Sequence, residues 1–374
     1  MKRFGWILVL LMLVSPAWAA NKADKSNKAN NKITVQQLKD LLVSAQQAKK
    51  TDQQVADQIK GLELSEELTS AEKSKLLFAS PGPLTSEQIS VLEARSCMLA
   101  PPPSDLPDLP TPDAAAQKAI LDKALEFAAK NDQQIHHLTA LKVISHYGHV
   151  NDSSISNAFG AEGLTRDQGN VKIMNLTSRY TETVENDQGN EKITASTADP
   201  KLMRVSPLPE NTMRPALSVF LHKAEEGGKI NWLRWETISG AKIAVFSFDV
   251  DKKSAIYNVD YCCFPTNTSG GYSSKPFKKN VGLHGEFFID PDTGNILRLL
   301  MQAQLSTSDF VDQEDVRIDF GTTTIDNSAY ILPVSSVTYS ELNVAGDHPQ
   351  AAILRRTFLV AGYANYQLAG AAQK

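Results

Sequence analysis

One stretch of the chain, residues 285–304, constrains the fold more than any other. It consists of two apolar runs that flank the turn Asp290-Pro291-Asp292-Thr293-Gly294-Asn295. Proline presets φ for a turn and Gly294 can adopt a positive φ, so this stretch predicts a β-hairpin. Hairpins of this kind recur through the C-terminal half, and they predict a curved antiparallel sheet.

Eleven segments of the C-terminal half show the period-two, β-branched pattern of strands. They are 135–147, 171–184, 191–197, 231–238, 242–250, 254–263, 283–290, 295–304, 313–320, 330–340 and 353–363. Helices are predicted over 114–130 and 214–226. Together these elements predict a strongly curved sheet or half-barrel over residues 114–370, with helices covering its concave face.

Residues 33–100 predict a small helical module instead. Each of four threonines stands three residues before a Glu or Gln, which is the capping-box pattern of a helix start. They are Thr34, Thr51, Thr69 and Thr85. Helices this short are marginal alone, so we expect them to pack together or on the sheet. Six prolines in residues 101–113 predict an extended, semi-rigid linker. The fold class is therefore α+β.

Residues 1–19 have the three parts of a secretory signal peptide. These are a basic start, an apolar stretch over residues 7–14 and a small-residue cleavage site at Ala17-Trp18-Ala19. Cleavage after Ala19 predicts a periplasmic or secreted protein without a transmembrane segment, because no other apolar run is long enough to span a bilayer. The polar residues 20–32 predict a disordered tail.

Composition and motifs argue against several function classes. The formal net charge is −4 and 21% of residues are charged, with no basic patch that would favour a nucleic-acid partner. The chain lacks a Gly-x-Ser-x-Gly elbow, a His-Glu-x-x-His motif, a phosphate loop and a dinucleotide fingerprint. We therefore predict a protein that is not an enzyme and needs no cofactor. A hydrolase would require two carboxylates that meet only after folding.

Two clusters contain residue types that bind metals. Four histidines lie within fourteen residues: His136, His137, His146 and His149. A zinc site needs ligands that converge on one point, and neighbours on a strand face opposite sides. Asp290 and Asp292 resemble the start of a calcium loop, but Met301 occupies the position of its bidentate Glu. No metal site is predicted.

Three cysteines in an exported chain leave at least one without an intramolecular partner. Adjacent strand residues face opposite sides, so Cys262 or Cys263 could form a bridge to Cys97 across a long loop. A vicinal Cys262–Cys263 disulfide, strained and redox-labile, is one alternative, and free thiols are the other.

Two tryptophans open the predicted strand 231–238. Alternation places Trp232 on one face with Arg234 and Glu236, and Trp235 on the other face with Leu233. They belong either to the packed core or to an aromatic wall that lines a ligand cavity.

Several motifs resemble those of a group of uncharacterised secreted proteins of acidobacteria. They are Ser96-Cys97-Met98-Leu99-Ala100-Pro101-Pro102, residues 128–147, residues 285–299, Asp319-Phe320-Gly321 and Tyr330-Ile331-Leu332-Pro333-Val334. That group is similar at fold level to lipoprotein-carrier half-barrels of the LolA and RseB type. The resemblance implies a curved antiparallel sheet that wraps helices around an apolar cavity for acyl chains. Residues 33–100 are extra to a minimal carrier of this type.

The export signal, the resemblance and the missing catalytic motifs predict a non-enzymatic binding or interaction module of the cell envelope. Its ligand would be apolar, an acyl chain for instance, and its partner a lipid or an envelope protein. The alternative is a structural protein that docks a partner through the helical module. A hydrolase of envelope polymers is the third hypothesis.

Overall fold

The computed structural model describes most of the chain. Its described residues are 32–134, 138–149, 174–187, 190–198, 208–209, 217–227, 229–238, 240–254, 257–268, 271–306, 308–343 and 354–368. The expected signal peptide, residues 1–19, lies outside these ranges, as does the expected tail up to residue 31. No helix within the described ranges is both long and apolar enough to cross a membrane.

Residues 32–100, all of them described, contain four helices. Their bounds are α1 Val35–Gln47, α2 Asp52–Ile59, α3 Ser70–Phe78 and α4 Pro83–Ser96. Thr34 and Thr51 cap α1 and α2 with the expected capping boxes. Thr69 accepts a hydrogen bond from the Glu72 backbone N–H at the start of α3. Three of the predicted helix starts are therefore confirmed.

The predicted start at Thr85 is wrong, because α4 begins two residues earlier at Pro83. Proline is favoured at the first helical position, where its missing N–H leaves no donor unsatisfied. The Asp52 carboxylate accepts hydrogen bonds from the backbone N–H groups of Leu84 (3.0 Å) and Thr85 (2.9 Å). Another helix thus supplies the cap of α4, and the local sequence gives no sign of it.

A short parallel strand pair joins the start of this region to its middle. Lys32–Ile33 (β1) pairs with Glu63–Leu64 (β2). The region is therefore not all helical, and Lys32 is not part of a disordered tail. The helices bury a core of their own, whose most buried large members are Leu38, Leu42, Ile59, Leu68, Leu76, Ile89 and Leu92.

The described residues beyond 113 form two further helices and thirteen strands. The helices are α5 Ala114–Gln134 and α6 Leu217–Glu226. The strands are β3 Leu138–His149, β4 Met174–Asp187, β5 Asn190–Ser196, β6 Leu208–Pro209, β7 Ile230–Ile238, β8 Ala241–Val250, β9 Tyr257–Thr268, β10 Gly271–Val281, β11 Leu283–Ile289, β12 Ile296–Ala303, β13 Val311–Ile325, β14 Ser328–Asn343 and β15 Leu354–Leu368. Every predicted strand overlaps an observed one.

Ten of these strands form one antiparallel sheet in the order β5-β4-β3-β15-β14-β13-β12-β11-β8-β7. It is open, with β5 and β7 at its edges. The predicted α+β class, a helical N-terminal region followed by a large antiparallel sheet with covering helices, is confirmed. The β11–β12 hairpin is also where it was predicted. The Asp290 N–H donates to the Asn295 carbonyl (2.9 Å), and Gly294 has a φ of 78°.

The strands β10, β9 and β6 form a second sheet. No strand was predicted at β10, whose sequence Gly-Tyr-Ser-Ser-Lys-Pro-Phe-Lys-Lys-Asn-Val alternates poorly and contains a proline. Pro276 lies at the register shift between Lys275 and Phe277 in the pairing with β9. Such an irregularity tolerates a residue that has no N–H for the ladder.

We call the two faces of the ten-stranded sheet inner and outer. The inner face carries alternate residues such as Phe246, Phe287 and Met301, and it packs against α5, α6 and the second sheet. The buried side chains of these covering elements are Ile120, Ala124, Ala128, Leu217, Phe220, Leu221, Ala224, Tyr257, Val259, Tyr261 and Val281. Each Å² of apolar surface buried here stabilises the fold by about 25 cal/mol.

The outer face carries Phe288 and Leu300, and the N-terminal helical region covers it. Met98, just after α4, packs beside these two residues. Val91 and Ala94 of α4 pack farther along, against β3 and β15. Helices therefore cover both faces of the sheet, and the expectation that the short N-terminal helices pack together or on the sheet is confirmed.

Candidate functional site

An apolar cleft lies between the two helices of the inner face. Leu121 and Leu125 stand one turn apart on α5, and Leu221 faces them from α6. Residues four apart on a helix share a face, so both helices present a stripe to the cleft. Ile230 at the start of β7 and Glu225 of α6 complete the lining of this α5–α6 cleft, whose volume is about 180 Å³.

One carboxylate stands at the rim of this apolar lining. The side chain of Glu225 is 50% exposed, and its Oε2 lies 3.8 Å from His222 Nδ1 on the same helix. Lys118 of α5, which forms an ion pair with Asp122 (2.6 Å), adds a positive charge to the same rim. The α5–α6 cleft therefore combines an apolar interior with a hydrogen-bond acceptor at its mouth.

The two tryptophans do not have the predicted orientations. A β-bulge between Trp232 and Arg234 inserts Leu233 into β7, so Trp232 and Trp235 share the inner face. Their ring centroids are 4.8 Å apart in an edge-to-face contact, and Trp232 also contacts Phe246 at 5.3 Å. The prediction that they face opposite sides is wrong, because strict alternation fails at a bulge.

The tryptophan pair holds the proline-rich linker. Trp235 Nε1 donates a hydrogen bond to the carbonyl of Pro110 (2.8 Å), and Lys242 Nζ lies 4.8 Å from the Trp235 ring centroid. Neither ring lines the α5–α6 cleft, although Ile230 on the same strand does. The Trp235 hydrogen bond thus attaches the linker to the edge strand β7 at Pro110.

A buried ion-pair cluster joins the helical region to the outer face. We define it as Glu67, Arg298, Arg317 and Asp319. Glu67 Oε1 lies 2.7 Å from Arg317 Nη1 and 3.5 Å from Arg298 Nη1. Asp319 accepts from Arg298 Nε (2.7 Å) and from Arg317 Nε (2.9 Å). Burial opposes the charge of Asp319, but the two arginines outweigh it and hold the pKa of that carboxyl below its usual value.

A second charged group continues the cluster along the outer face. Arg234 donates to Glu236 (2.6 Å) and to Glu286 (2.8 Å). Its guanidinium carbon lies 6.0 Å from the Phe288 ring centroid, and that of Arg298 lies 5.2 Å from the same centroid. Sequence analysis missed this whole group, since its members are far apart in the chain. The available signal was the presence of Arg234, Arg298 and Arg317 within predicted strands.

Cys97 lies beside the ion-pair cluster as a buried free thiol. Burial raises its pKa to about 12, although the nearby Arg317 opposes that shift. A thiol with so little thiolate is a poor nucleophile and a poor redox centre. Cys97 is therefore buried among packed side chains and largely protonated, and its redox role stays a prediction.

The structure does not bring Cys97 near the other two cysteines. Cys262 pairs with Leu208 in the second sheet, which covers the inner face, whereas Cys97 packs on the outer face. A bridge would have to pass through the ten-stranded sheet. The side chains of Cys262 and Cys263 lie outside the described residues, so their vicinal disulfide and their free-thiol state stay predictions.

The other metal and carboxylate candidates are distributed over the molecule. Asp290 caps its own turn, where Oδ1 accepts from the Asp292 N–H (2.9 Å) and Oδ2 from the Thr293 hydroxyl (2.8 Å). Burial lowers the pKa of His146 to about 4. His136 and His137 lie outside the described residues. Within the described ranges no group of three or more His, Cys, Asp or Glu side chains is placed to hold a metal ion.

Asp315 on the outer face is a buried acidic residue whose pKa is raised. Burial raises its pKa to about 6, and Glu341 adds to the rise. A hydrolase would need such a carboxylate in an open cleft, but Asp315 is buried and lines neither the α5–α6 cleft nor the polar cleft described next. The arrangement gives no support to the hydrolase hypothesis.

A polar cleft of about 310 Å³ lies on the second sheet. Its lining residues are Asn258, Asp260, Lys278, Lys279 and Asn280. Its charged groups are already paired, because Lys278 Nζ lies 2.6 Å from Asp260 Oδ2 within the lining and Lys279 forms an ion pair with Asp309 outside it. This cleft therefore offers few unpaired groups to a ligand.

An apolar tip projects from the helical region. We define it as Phe78, Pro81 and Leu84, from the end of α3 to the start of α4. Phe78 is 94% exposed and Leu84 is 42% exposed. An aromatic ring on a monomer surface is a frequent anchor of protein interfaces.

Comparisons with known proteins concern the fold alone. No protein-family model matches the chain, and no curated protein matches it. A crystal structure from Vibrio parahaemolyticus, described as an outer membrane lipoprotein-sorting protein domain, is similar to it. The match covers 68% of this chain and 95% of that chain, with 9% identity and a TM-score of 0.29. The match is in line with the predicted fold-level similarity to lipoprotein carriers, but a TM-score this low supports no conclusion about function.

Proposed function

We propose that this chain is a non-enzymatic binding module of the cell envelope that holds an apolar group in the α5–α6 cleft. The cleft itself carries the proposal, because four aliphatic side chains from three elements converge on one opening. The export signal predicted in residues 1–19 supports the envelope as its compartment.

The volume of the cleft limits the ligand. A cavity of about 150 Å³ lined by aliphatic and aromatic side chains binds benzene, whereas pockets for drug-sized ligands measure about 300–1,000 Å³. At about 180 Å³ the cleft fits a ring or the end of an alkyl chain. A whole acyl chain would need α5 and α6 to move apart, since the rest of the inner face is filled with packed side chains.

The rim carboxylate adds a preference for charge. Lys118 at the same rim already forms an ion pair with Asp122, so Glu225 is left to attract an ammonium or another hydrogen-bond donor attached to the apolar group and to repel a carboxylate. The proposal therefore predicts that octylamine binds more tightly than octanoate. The Glu225→Gln variant should bring the two affinities closer together.

The test is methyl NMR on protein labelled at its leucine and isoleucine methyl groups. Octylamine should shift the methyl signals of Leu121, Leu125, Leu221 and Ile230 in a saturable way. Leu125→Trp, which places an indole in the cleft, should abolish these shifts. Leu233→Trp is the matched control, since it adds the same ring at an exposed position of the neighbouring strand. Shifts at other methyl groups only would overturn the proposal.

The natural ligand needs a second measurement. Protein exported to its own compartment can be examined by native mass spectrometry with solvent extraction. A bound mass that is lost in Leu125→Trp but kept in Leu233→Trp would identify the ligand of this cleft.

A second candidate function is the docking of a partner through the helical region, favoured by the exposed ring of Phe78. Deletion of residues 20–100 would be a poor test, because it leaves Arg298 and Arg317 without Glu67. Phe78→Ala is the better variant. Loss of partner capture from an envelope extract by this variant, but not by Val43→Ala on α1, would support the docking function.

A further inference from the structure

The apolar tip is held rigidly. The Ser80 hydroxyl donates to the Gly82 carbonyl (2.8 Å), and Asp52 binds the backbone N–H of Leu84. A Cβ on Gly82 would lie 2.6 Å from Asp52 Oδ2, so the loop and α2 are in close contact. The loop cannot readily fold back over Phe78, so the backbone keeps the ring exposed to solvent. Such preorganisation lowers the entropy cost of burying the ring in a partner.

We infer that Phe78 of one copy inserts into the α5–α6 cleft of a second copy. The inference rests on the proposed function, which makes this cleft a site for apolar groups. The Phe78 ring and the α5–α6 cleft match in size. A phenyl ring is the size of benzene, which a cavity of about 150 Å³ accepts, and the cleft measures about 180 Å³.

The charges beside the two parts are complementary. Lys75 precedes Phe78 by one helical turn, and its side chain is 63% exposed. Glu225, at the rim of the cleft, is 50% exposed. Each already has a neighbour of opposite charge, Glu72 for Lys75 and Lys118 for Glu225, so the added attraction is weak and sensitive to salt. It would serve to orient the ring at the cleft.

The contact joins two different surfaces, since Phe78 lies on the helical region over the outer face and the cleft lies on the inner face. Contacts of this heterologous kind build rings or open chains of subunits and not symmetric dimers. One aromatic side chain buries about 150–250 Å², well below the roughly 1,200 Å² of a stable interface. The association is therefore weak and reversible, and it should appear only at high protein concentration.

Photo-crosslinking tests this contact even when it is weak. A photoreactive benzoylphenylalanine replaces Phe78 in unlabelled protein, which is mixed with ¹⁵N-labelled wild-type protein and irradiated. We expect mixed-isotope cross-links to residues 121–125, 221–225 or 230. The same photoreactive residue at Val334, an exposed position of β14, is the control. Octylamine in excess should reduce the cross-link, because it competes for the cleft.

The outcomes are distinguishable. Absence of mixed-isotope cross-links, or cross-links only to other surfaces, overturns the inference. If octylamine still shifts the methyl signals of the cleft in that case, the proposed function stands and only the second copy as occupant is wrong. If octylamine produces no such shifts, the proposed function fails as well.

Sedimentation velocity of two variants gives an independent check. Phe78→Ala lacks the ring but keeps the cleft, and Leu125→Trp or Leu121→Trp keeps the ring but fills the cleft. Each variant alone should remain monomeric at concentrations where the wild type associates. An equimolar mixture should form dimers through the one intact contact. A mixture that stays monomeric, or a Phe78→Ala variant that associates like the wild type, would contradict the inference.

Discussion

The inner and outer faces of the ten-stranded sheet differ in how they are covered. The inner face meets α5, α6 and the second sheet through aliphatic and aromatic side chains such as Phe246 and Phe287. The outer face meets the helical region through apolar contacts at Met98 and through the ion-pair cluster of Glu67, Arg298, Arg317 and Asp319.

The two kinds of contact differ in how strictly they fix the relative position of the elements that they join. Apolar packing depends on the area removed from water and only weakly on orientation, so α5 and α6 can lie on the inner face and still leave a cleft between them. Buried ion pairs require their partners at fixed distances, so the outer contact holds the helical region in one position. One face is therefore suited to accommodate a ligand, and the other presents the Phe78 tip at a fixed place.

The largest effect is expected on the inner face. Phe287→Ala removes a fully buried ring from the core, and we expect it to lower the free energy of unfolding by about 3–5 kcal/mol. Urea unfolding followed by circular dichroism measures it. Phe78→Ala is the matched control and should leave the unfolding midpoint unchanged, because the ring is exposed. Equal effects at both positions would contradict the described core.

Removal of a single carboxylate from the outer face should lower the free energy of unfolding almost as much. Glu67→Ala leaves Arg317 and Arg298 without one acceptor in a buried site, which typically costs about 3–5 kcal/mol. Asp57→Ala, which removes an exposed carboxylate of α2, should leave the urea midpoint unchanged. An equally small effect of Glu67→Ala would show that the ion-pair cluster does not hold the helical region.

The two faces should also respond to pH in opposite directions. Asp315 on the outer face has its pKa raised to about 6, so between about pH 4 and 6 the folded state binds more protons than the unfolded state. The free energy of unfolding contributed by Asp315 therefore falls as the pH rises through this window. Tyr147 packs on the outer face, so its neighbour His146 lies on the inner face. Burial lowers the pKa of His146 to about 4, so its contribution falls as the pH decreases from about 6.5 to 4.

Variants separate these two contributions. Asp315→Asn should remove the loss of stability on raising the pH, a difference of about 2–3 kcal/mol between pH 4 and 6. His146→Asn should remove the loss on lowering the pH. Urea midpoints at pH 4.5, 5.5 and 6.5 measure both. A pH dependence of Asp315→Asn identical to that of the wild type would mean that Asp315 ionises as an exposed carboxylate does.

The last prediction concerns the accessibility of Cys97, measured as a labelling rate. Its burial and raised pKa predict that iodoacetamide modifies it far more slowly in the folded protein than in urea. Mass mapping of the labelled peptide measures the rate at this position separately from the other thiols. Glu67→Ala should accelerate the labelling, because the helical region then separates from the outer face more often. Rapid labelling of the folded wild type would contradict the buried position.

Local patterns in the sequence predicted much of the fold. The Asp290–Asn295 turn and the caps at Thr34 and Thr51 depend on a few neighbouring residues, and each is found in the structure. The bulge at Leu233 reversed the predicted face of Trp232, because strand alternation assumes an unbroken ladder. The prediction that Thr85 starts α4 failed for a related reason, since the cap of this helix is Asp52, which belongs to another helix.

The candidate site could not be predicted in the same way. The α5–α6 cleft needs α5, α6 and β7 to meet, and Leu121 and Ile230 are distant in the chain. The helix over 114–130 was predicted, but nothing in the sequence indicated whether its apolar residues were fully packed or left a cleft. The ion-pair cluster likewise depends on contacts between Glu67 and residues more than two hundred positions later.

The measurement that tests the account most directly is the octylamine titration followed by methyl NMR. We predict saturable shifts at Leu121, Leu125, Leu221 and Ile230 in the wild type and in Leu233→Trp, and none of these shifts in Leu125→Trp. Shifts that persist in Leu125→Trp, or a wild type whose cleft methyl signals do not respond, would contradict the assignment of the α5–α6 cleft as the binding site.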